Sequence, residues 1–193
     1  MLLTYNSRSK LGDFLDNVLR SILTQTYPSL NLVVVDNNSI DDTIQHVKKL
    51  INNAQWTFPF IILKLNKNYG WGGGNNRGAL LCKDSDYILF MNDDVILERD
   101  CIRKLIEVIN KNRELAAVQP LIISRDRTTL CGADVSLSGF PQAVTFIKGT
   151  PFFKAFYVSG AALFTLVSSF FGNLDVLTKI SSYGVMTLII VGN

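Results

Sequence analysis

The sequence has few residues of the kinds that build disulfide frameworks or histidine-based sites. It contains three cysteines, Cys82, Cys101 and Cys131, and a single histidine, His46. An odd number of scattered cysteines argues against a disulfide framework or a zinc site and indicates a reducing compartment. One histidine excludes a His-rich metal site and disfavours a histidine-based catalytic triad.

The sequence also lacks a long clean apolar run and a strong excess of one charge. Its longest apolar run, Ala155 to Phe171, is interrupted by serines and Gly160. It falls short of the roughly 18–20 apolar residues that a membrane span needs, so we interpret it as core. No signal peptide is visible after Met1, and a net charge of +3 is too small to predict a nucleic-acid partner.

What the sequence does contain is a regular alternation of strand and helix patterns. With 48% hydrophobic and 18% charged residues over 193 positions, it is typical of one globular domain. The alternation predicts an α/β fold, with a mostly parallel sheet and helices on both faces. The predicted strands are Met1–Thr4, Leu30–Val35, Phe58–Leu65, Tyr87–Met91 and Ala116–Ile123. The predicted helices are Leu11–Thr26, Thr43–Ile51, Asn76–Cys82 and Asp100–Asn112, and short β pieces and turns follow to Lys154.

Polar clusters follow four of the predicted strands. They are Thr4-Tyr5-Asn6, Asp36-Asn37-Asn38, the Gly- and Asn-rich loop Asn66 to Asn76, and Asn92-Asp93-Asp94. Each alone is typical of turn chemistry. Because the carboxyl ends of parallel strands share one edge of a sheet, the four together predict a ligand crevice.

The adjacent acids Asp93 and Asp94 repel each other when both are ionised, because each raises the free energy of ionising the other, and something must offset this cost. A hard cation such as Mg²⁺ or Mn²⁺ that also holds a diphosphate would offset it. The alternative interpretation is a solvated turn at the end of a strand. A carboxylate such as Asp36 suits a base N–H or a ribose hydroxyl, and the glycines Gly70 and Gly72 to Gly74 allow close backbone approach to a ligand.

Several strings carry a resemblance to a known family. They are Leu3-Thr-Tyr-Asn6, Gln25-Thr-Tyr-Pro28, Val33-Val-Val-Asp-Asn-Asn-Ser39 with Asp41, Asn66-Lys-Asn-Tyr-Gly-Trp-Gly-Gly-Gly-Asn-Asn-Arg-Gly78, Phe90-Met-Asn-Asp-Asp-Val95 and Val158-Ser-Gly-Ala-Ala162. In their order and spacing the chain resembles the family 2 glycosyltransferases of the GT-A (Rossmann-like) fold, particularly the rhamnosyltransferase-like members.

The resemblance implies a nucleotide-diphosphate-sugar donor and transfer of its sugar, with inversion, to the hydroxyl of a glycan or lipid-linked acceptor. It implies a divalent cation (Mg²⁺ or Mn²⁺) held by Asp94, with Asn92 as a weaker ligand in place of the family's first acid. The residues that it places around the donor are Thr4, Tyr5, Asn6, Asp36, Asn38, Asn68, Gly70, Asn75 and Asp93.

The chain departs from the family after the Ser-Gly-Ala-Ala segment, where the family carries an acidic segment with its general base. Residues 172–193 contain one acid, Asp175, and end in the apolar string Val185 to Val191. We therefore assign no catalytic base and interpret the chain as C-terminally truncated or frameshifted. Synonymous codons for Gly172 onward can be chosen so that reading from their third nucleotide gives K-F-G-C-F-D-E-D-F-F-L-W-G-D-D-V-D-Y-S-W-K, which contains the missing motif.

We thus predict one GT-A-like domain over residues 1–193. Residues 1–123 would form its nucleotide-sugar-binding half, 124–171 a partial acceptor-side region, and 172–193 an aberrant tail that leaves the acceptor half incomplete. The alternatives to a glycosyltransferase are a non-catalytic nucleotide-sugar-binding or partner-binding remnant, and a nucleotidyltransferase. We expect a cytoplasmic location without a transmembrane segment, with peripheral association at the inner membrane face and self-association of the apolar tail as options.

Overall fold

A computed structural model describes residues 1–54, 58–112, 115, 117–123, 129–130, 133–135, 141–143, 154–155, 161–172 and 188–191. The chain groups into two compact units, Met1–Ser85 with Phe90–Ile102, and Asp86–Leu89 with Arg103–Asn193. The predicted single domain and its divisions at 123 and 171 stay predictions. Among the described residues, no helix combines the length and apolarity that a bilayer crossing requires.

The first unit is built on parallel strands. They are β1 (Leu2–Thr4), β2 (Leu32–Asp36), β3 (Phe60–Lys64) and β4 (Tyr87–Asn92), of which the first unit includes β4 from Phe90 onward. β1 pairs in parallel with β2 and with β4, and β2 pairs in parallel with β3, which gives the order β3-β2-β1-β4. All residues of β2 are buried, as expected for a strand that is covered on both faces.

Helices connect these strands, and together with the sheet they form the predicted mixed α/β fold. They are α1 (Ser7–Leu11), α2 (Phe14–Leu23), α3 (Thr43–Asn53) and α4 (Gly70–Ala79), the last followed by a 3₁₀ turn at Leu80–Cys82. The prediction of one helix over Leu11–Thr26 is wrong at its start. Gly12 has a φ of 55°, a left-handed value that a helix cannot contain, and it separates α1 from α2.

Helix α4 covers most of the segment that the sequence predicted to be a loop. A Cβ on Gly74 would lie 2.6 Å from Cδ1 of Leu3, and a Cβ on Gly78 would overlap side-chain atoms of Met1 and Val35. The glycines therefore let α4 lie directly on β1 and β2. Propensity argues against a helix with so many glycines, but this close packing overrides it.

The second unit begins with the first residues of β4 and most of helix α5 (Cys101–Lys111). Its larger sheet contains β5 (Ala117–Pro120), β10 (Lys154–Ala155), β11 (Ala162–Leu166) and β12 (Leu188–Val191). Strand β5 pairs antiparallel with β11 and parallel with β12, which pairs antiparallel with β10. Short antiparallel pairs join β6 (Ile122–Ile123) to β7 (Thr129–Leu130) and β8 (Ala133–Val135) to β9 (Pro141–Ala143), and α6 (Val167–Gly172) follows β11.

In this unit one predicted strand is divided in two, whereas the apolar run interpreted as core is confirmed where its burial is described. The predicted strand Ala116–Ile123 is interrupted at Leu121 and forms β5 and β6. The apolar run before Phe171 is core where it is described, because Leu163, Phe164 and Phe170 are buried. Most of the segment between Ile123 and Lys154, where short β pieces and turns were predicted, lies outside the described residues. The small-residue segment before Ala161 and residues 173–187 and 192–193 of the tail also lie outside them.

Candidate functional site

The strand order reverses between β1 and β4, and polar loops follow both strands there. In open α/β sheets such a reversal opens a crevice at the carboxyl ends of the strands. The hydroxyl of Ser7, at the start of α1, donates to the Asp93 carboxylate after β4, and the N–H of Tyr5 donates to Ser7 Oγ at 3.2 Å. The loops after β1 and β4 are therefore held together across the crevice.

The loop after β1 is also joined to the loop after β2. The N–H of Asn6 donates to Ser39 Oγ at 2.8 Å, and Asn6 Oδ1 accepts from the N–H of Ile40 at 2.8 Å. Asn6 adopts the left-handed conformation with a φ of 51°. Asparagine tolerates this conformation better than most residues do, which explains its use at this turn.

Asn37 joins the loop after β2 to the loop after β3. Its Oδ1 accepts from the N–H of Tyr69 at 2.9 Å, while its Nδ2 donates to Asn68 Oδ1 at 2.9 Å and to the carbonyl of Gly70 at 3.1 Å. Asn68 Oδ1 also accepts from the N–H of Gly70 at 2.8 Å. Gly70 has a φ of 71°, which favours glycine at the position where α4 begins.

Trp71 makes the last connection, from α4 back to the end of β4. Its indole Nε1–H donates to Oδ1 of Asn92 at 2.8 Å. The loops after β1, β2, β3 and β4 are thus joined in a closed circuit. We call it the loop ring and define it by four links: Ser7–Asp93, Asn6–Ser39, Asn37 with Asn68 and Gly70, and Trp71–Asn92.

Two of the predicted donor residues are completely buried beneath the loop ring. Asp36 accepts hydrogen bonds from the N–H of Ser39, at 3.2 and 3.3 Å, and from the Ser39 hydroxyl. Thr4 Oγ1 donates to the carbonyl of Val35 at 3.3 Å. Direct contact of Asp36 with a base stays a prediction and would require Ser39 to move. The Ser39 side chain is thus engaged by Asp36 and by the N–H of Asn6.

Asn75 is the predicted site residue with unused hydrogen-bonding capacity. It lies one helical turn after Trp71 on α4 and is 1% exposed. Neither its Nδ2 nor its Oδ1 has a hydrogen-bond partner among the described residues. A buried amide in this state typically costs about 1–3 kcal/mol, so Asn75 retains an unused donor group and an unused acceptor group.

Other predicted residues lie at the rim of the site. Tyr5 is 36% exposed, and Lys10 Nζ lies 4.5 Å from the centroid of the Tyr5 ring. Asn38 is half-buried with a φ of 69°. The loop ring therefore has exposed polar and aromatic groups at its edge as well as buried groups beneath it.

The two acids after β4 differ in environment. Burial raises the pKa of Asp93 above its usual range, and the charge of Asp94 adds to that shift, while the hydrogen bond from Ser7 and the charge of Lys10 oppose it. Asp94 is exposed. Negative charge thus accumulates at one point of the loop ring, where a cation or a hydrogen-bond donor would be stabilising.

The donor set fits a divalent cation only in part. Within the described ranges, no group of three or more His, Cys, Asp or Glu side chains could hold a metal ion. Asn92 Oδ1 is already engaged by Trp71, and Asp93 accepts from Ser7. Asp94 remains as a single carboxylate, which suits an ion that a substrate diphosphate also holds.

Comparison with known proteins identifies the family. The sequence profile described as "Glycosyl transferase family 2" matches residues 1–164, which include every residue of the loop ring. The chain belongs to glycosyltransferase family 2. This confirms the resemblance on which the site residues were assigned, although their individual roles stay predictions.

Curated relatives of this family 2 chain include two bacterial enzymes. It is 31% identical over 98 residues to the GalNAc(5)-diNAcBac-PP-undecaprenol beta-1,3-glucosyltransferase of Campylobacter jejuni, covering 50% of the chain and 30% of the relative. It is 25% identical over 132 residues to the poly-beta-1,6-N-acetyl-D-glucosamine synthase of Staphylococcus aureus, covering 68% of the chain and again 30% of the relative. The family supports glycosyl transfer as the general activity.

Solved structures confirm the GT-A-type fold of this family 2 chain. S. aureus TarS 1-349 has a TM-score of 0.67 at 17% identity, covering 100% of the chain and 57% of that protein. The mannosyltransferase PcManGT from Pyrobaculum calidifontis, solved with GDP-Man and Mn²⁺, has a TM-score of 0.66 at 15% identity. The match covers 98% of the chain and 55% of PcManGT. At these identities the likeness concerns the fold alone.

Proposed function

We propose that the loop ring binds a nucleoside-diphosphate sugar and that the chain transfers the sugar to an acceptor hydroxyl. The observation that carries the proposal is the closed circuit of hydrogen bonds around the strand-order reversal. It fixes four loops and the N-terminus of α4 at the place where α/β sheets bind nucleotides. TarS has also been solved with UDP and PcManGT with GDP-Man, so UDP- and GDP-sugars are the donors to examine first.

The proposed base and ribose subsite lies at the loops after β1 and β2. Tyr5 and Asn38, at the rim, would contact the base or ribose, and Asn6 would fix the backbone between them. Thr4 and Asp36 lie beneath these residues. Asp36 would accept a hydrogen bond from a base N–H once Ser39 moves aside. Asp93 would accept from a ribose or sugar hydroxyl.

The proposed diphosphate subsite lies at the N-terminus of α4. The first N–H groups of a helix have no intrahelical acceptor, and the helix dipole favours an anion there. Asn68 and Gly70 set the direction in which α4 begins, and the buried amide of Asn75 supplies further hydrogen-bonding capacity. Asp94 would hold a divalent cation, which when bound neutralises negative charge on the departing nucleoside diphosphate.

The finer course of the reaction follows from the family resemblance. We propose inversion at the transferred sugar, with a glycan or lipid-linked hydroxyl as the acceptor. That hydroxyl must lose a proton, and general-base catalysis of such a step typically contributes about 10²–10⁴ in rate. Because residues 172–193 lack the family's acidic segment, a second candidate is a protein that binds the donor without transferring its sugar.

Calorimetric titration of the full chain with UDP, GDP and dTDP, with and without Mn²⁺, tests the proposed site. We expect one of the three to bind in a 1:1 ratio. Absence of binding at millimolar concentration under both conditions would refute the proposed donor site. Incubation of the binding donor with the chain, followed by assay for free nucleoside diphosphate, then separates the two candidates, because the non-catalytic one does not turn over.

Asn75→Leu provides a residue-level test of the diphosphate subsite. Replacing an unsatisfied buried amide by an apolar group of similar shape removes a desolvation penalty, so we expect a gain of about 1 kcal/mol in the free energy of unfolding. That corresponds to a rise of about 2–4 °C in melting temperature for a chain of this size. The same variant should bind the nucleoside diphosphate at least about tenfold more weakly. Unchanged affinity would remove Asn75 from the site.

A further inference from the structure

The Trp71–Asn92 hydrogen bond fixes the orientation of the Asn92 side-chain amide. An indole N–H only donates, so the Asn92 atom 2.8 Å from Trp71 Nε1 must be the amide oxygen. The other polar atom, Nδ2, then points away from the indole. Asn92 is half-buried, and its Nδ2 has no hydrogen-bond partner in the part of the chain that the structure describes.

We propose that Asn92 binds the donor as an amide N–H donor to a diphosphate oxygen and does not ligate the cation. This inference rests on the proposed function, because it assigns a role within the same site. It reverses the expectation, drawn from the family's acidic motif, that the Asn92 oxygen is a weak metal ligand. Trp71 acts as a positioning residue, since its indole N–H takes one lone pair of the amide oxygen and holds the amide in one orientation.

Charge balance around Asn92 favours an anionic oxygen as the partner of Nδ2. Asp93 and Asp94 follow it directly, and the incoming diphosphate carries further negative charge. A third carboxylate at position 92 would require a cation to offset this charge, whereas an amide N–H offsets part of it without one. Trp71 is the second residue of α4, so its indole ties the Asn92 amide to the first turn of the helix.

The test is calorimetric titration of the full chain with UDP and with GDP, each in EDTA and in Mn²⁺. We expect the wild type to bind in EDTA, with Mn²⁺ improving the affinity by less than about tenfold. In Asn92→Asp the N–H donor is lost and a charge is added, while Trp71 still has an oxygen to which it donates. Affinity in EDTA should fall by at least about tenfold, and Mn²⁺ should restore most of it.

Two further variants keep the test specific. Trp71→Phe retains an aromatic ring but no N–H, so the Asn92 amide is free to rotate, and we expect a smaller loss of affinity in EDTA. Asn53→Asp makes the same charge change on the exposed last residue of α3 and should leave both affinities unchanged. Circular dichroism melting of each variant establishes that it is folded. If Asn92→Asp does not fold, the comparison of Trp71→Phe with the wild type tests the inference.

The outcomes separate the inference from the proposed function. If neither nucleotide binds the wild type under either condition, the proposed function fails. If the wild type binds only with Mn²⁺, or if folded Asn92→Asp and Trp71→Phe match the wild type in EDTA, Asn92 does not donate to the diphosphate. In that case the donor site stands and the inference about Asn92 is wrong.

Discussion

At the scale of single residues, Asp41 connects the starts of two helices beside the loop ring. Its Oδ2 accepts from the N–H of Ser9 in α1 at 2.8 Å, and its Oδ1 accepts from the N–H of Thr43 in α3 at 3.1 Å. Burial alone would raise the pKa of Asp41, but the hydrogen bonds from Thr43 and Ser9 outweigh it and lower the pKa to about 2. The ionised form is therefore favoured in the folded chain.

Asp41→Asn should destabilise the protein in a pH-dependent way. A depressed carboxyl pKa contributes stability that is fully present above the unfolded value of 3.8 and is lost as the pH falls through about 2. We expect a loss of about 1 kcal/mol at pH 7, a figure reduced for solvent screening because the carboxylate is only partly buried. Urea unfolding at pH 7 and near pH 3 measures the difference, which should be smaller at the lower pH.

Asp42→Asn is the matched control for that variant. Asp42 is the exposed neighbouring acid that precedes α3, and its side chain makes no capping hydrogen bond. Its removal should change the free energy of unfolding by less than about 0.5 kcal/mol. Equal effects of the two substitutions would show that general charge removal, and not the contacts of Asp41, determines the result.

The sequence located the polar clusters of the site but missed several residues that connect them. The clusters that contain Asp36, Asn68 and Asp93 were predicted because acids and amides after a strand are visible in the sequence, and the family resemblance then singled out Asn68 and Asp93. Asn37 and Ser7 were not assigned roles, because their importance lies in hydrogen bonds to residues distant along the chain. Asn37 belongs to a predicted polar cluster, so its residue type and position could have indicated a role. Nothing in the sequence distinguishes Ser7 from other serines at the start of a helix.

At the scale of elements, α4 shows how packing determines a helix that local propensity disfavours. Gly74 and Gly78 lie where a side chain would meet β1 and β2, while Gly72 has no atom within 4 Å of its would-be Cβ. Gly78→Ala should therefore destabilise the chain by about 1–3 kcal/mol through overpacking. Gly72→Ala should stabilise it by about 0.5–1 kcal/mol, because alanine loses less backbone entropy than glycine in a helix.

Thermal melting of both alanine variants checks this difference in sign. Each changes one glycine of the same helix by the same methyl group, so the helix-propensity contribution is similar and only the surroundings differ. Two variants that shift the melting temperature in the same direction by the same amount would contradict close packing of α4 on the sheet.

The same helix explains where prediction of elements succeeded and failed. The apolar strands β2 and β4 were predicted to within two residues at each end, because an apolar run bounded by polar residues carries its own signal. Helix α4 was predicted as mostly loop, since glycine-rich segments usually form turns. Its stabilising contacts come from Leu3 and Val35, which a local window of sequence does not include.

At the scale of the whole molecule, the gene itself tests the interpretation of the tail as a frameshift product. We expect the codons from Gly172 onward, read from their third nucleotide, to encode an acidic segment of the form given above. Nucleotide sequencing of the gene decides this directly, and codons that do not permit that reading would reject the frameshift. A corrected chain should then turn over the nucleoside-diphosphate sugar that we propose as the donor.

The fold of the whole chain was predictable further than its site. Strand–helix alternation indicated the α/β class, and the order and spacing of motifs indicated the family that the sequence profile confirms. Pairing register, the partition into two compact units and the hydrogen bonds among loops depend on contacts between residues far apart in sequence. No periodicity or composition encodes those contacts.

The closed form of the loop ring has a consequence for how mutations combine. A circuit with four links stays connected when any one is removed, but it falls into two pieces when two are removed. Single substitutions such as Ser39→Ala should therefore understate how much each link contributes to the shape of the site. Paired substitutions in opposite links should cost more free energy than the sum of the two single substitutions. This redundancy makes the site tolerant of a first mutation and intolerant of a second one.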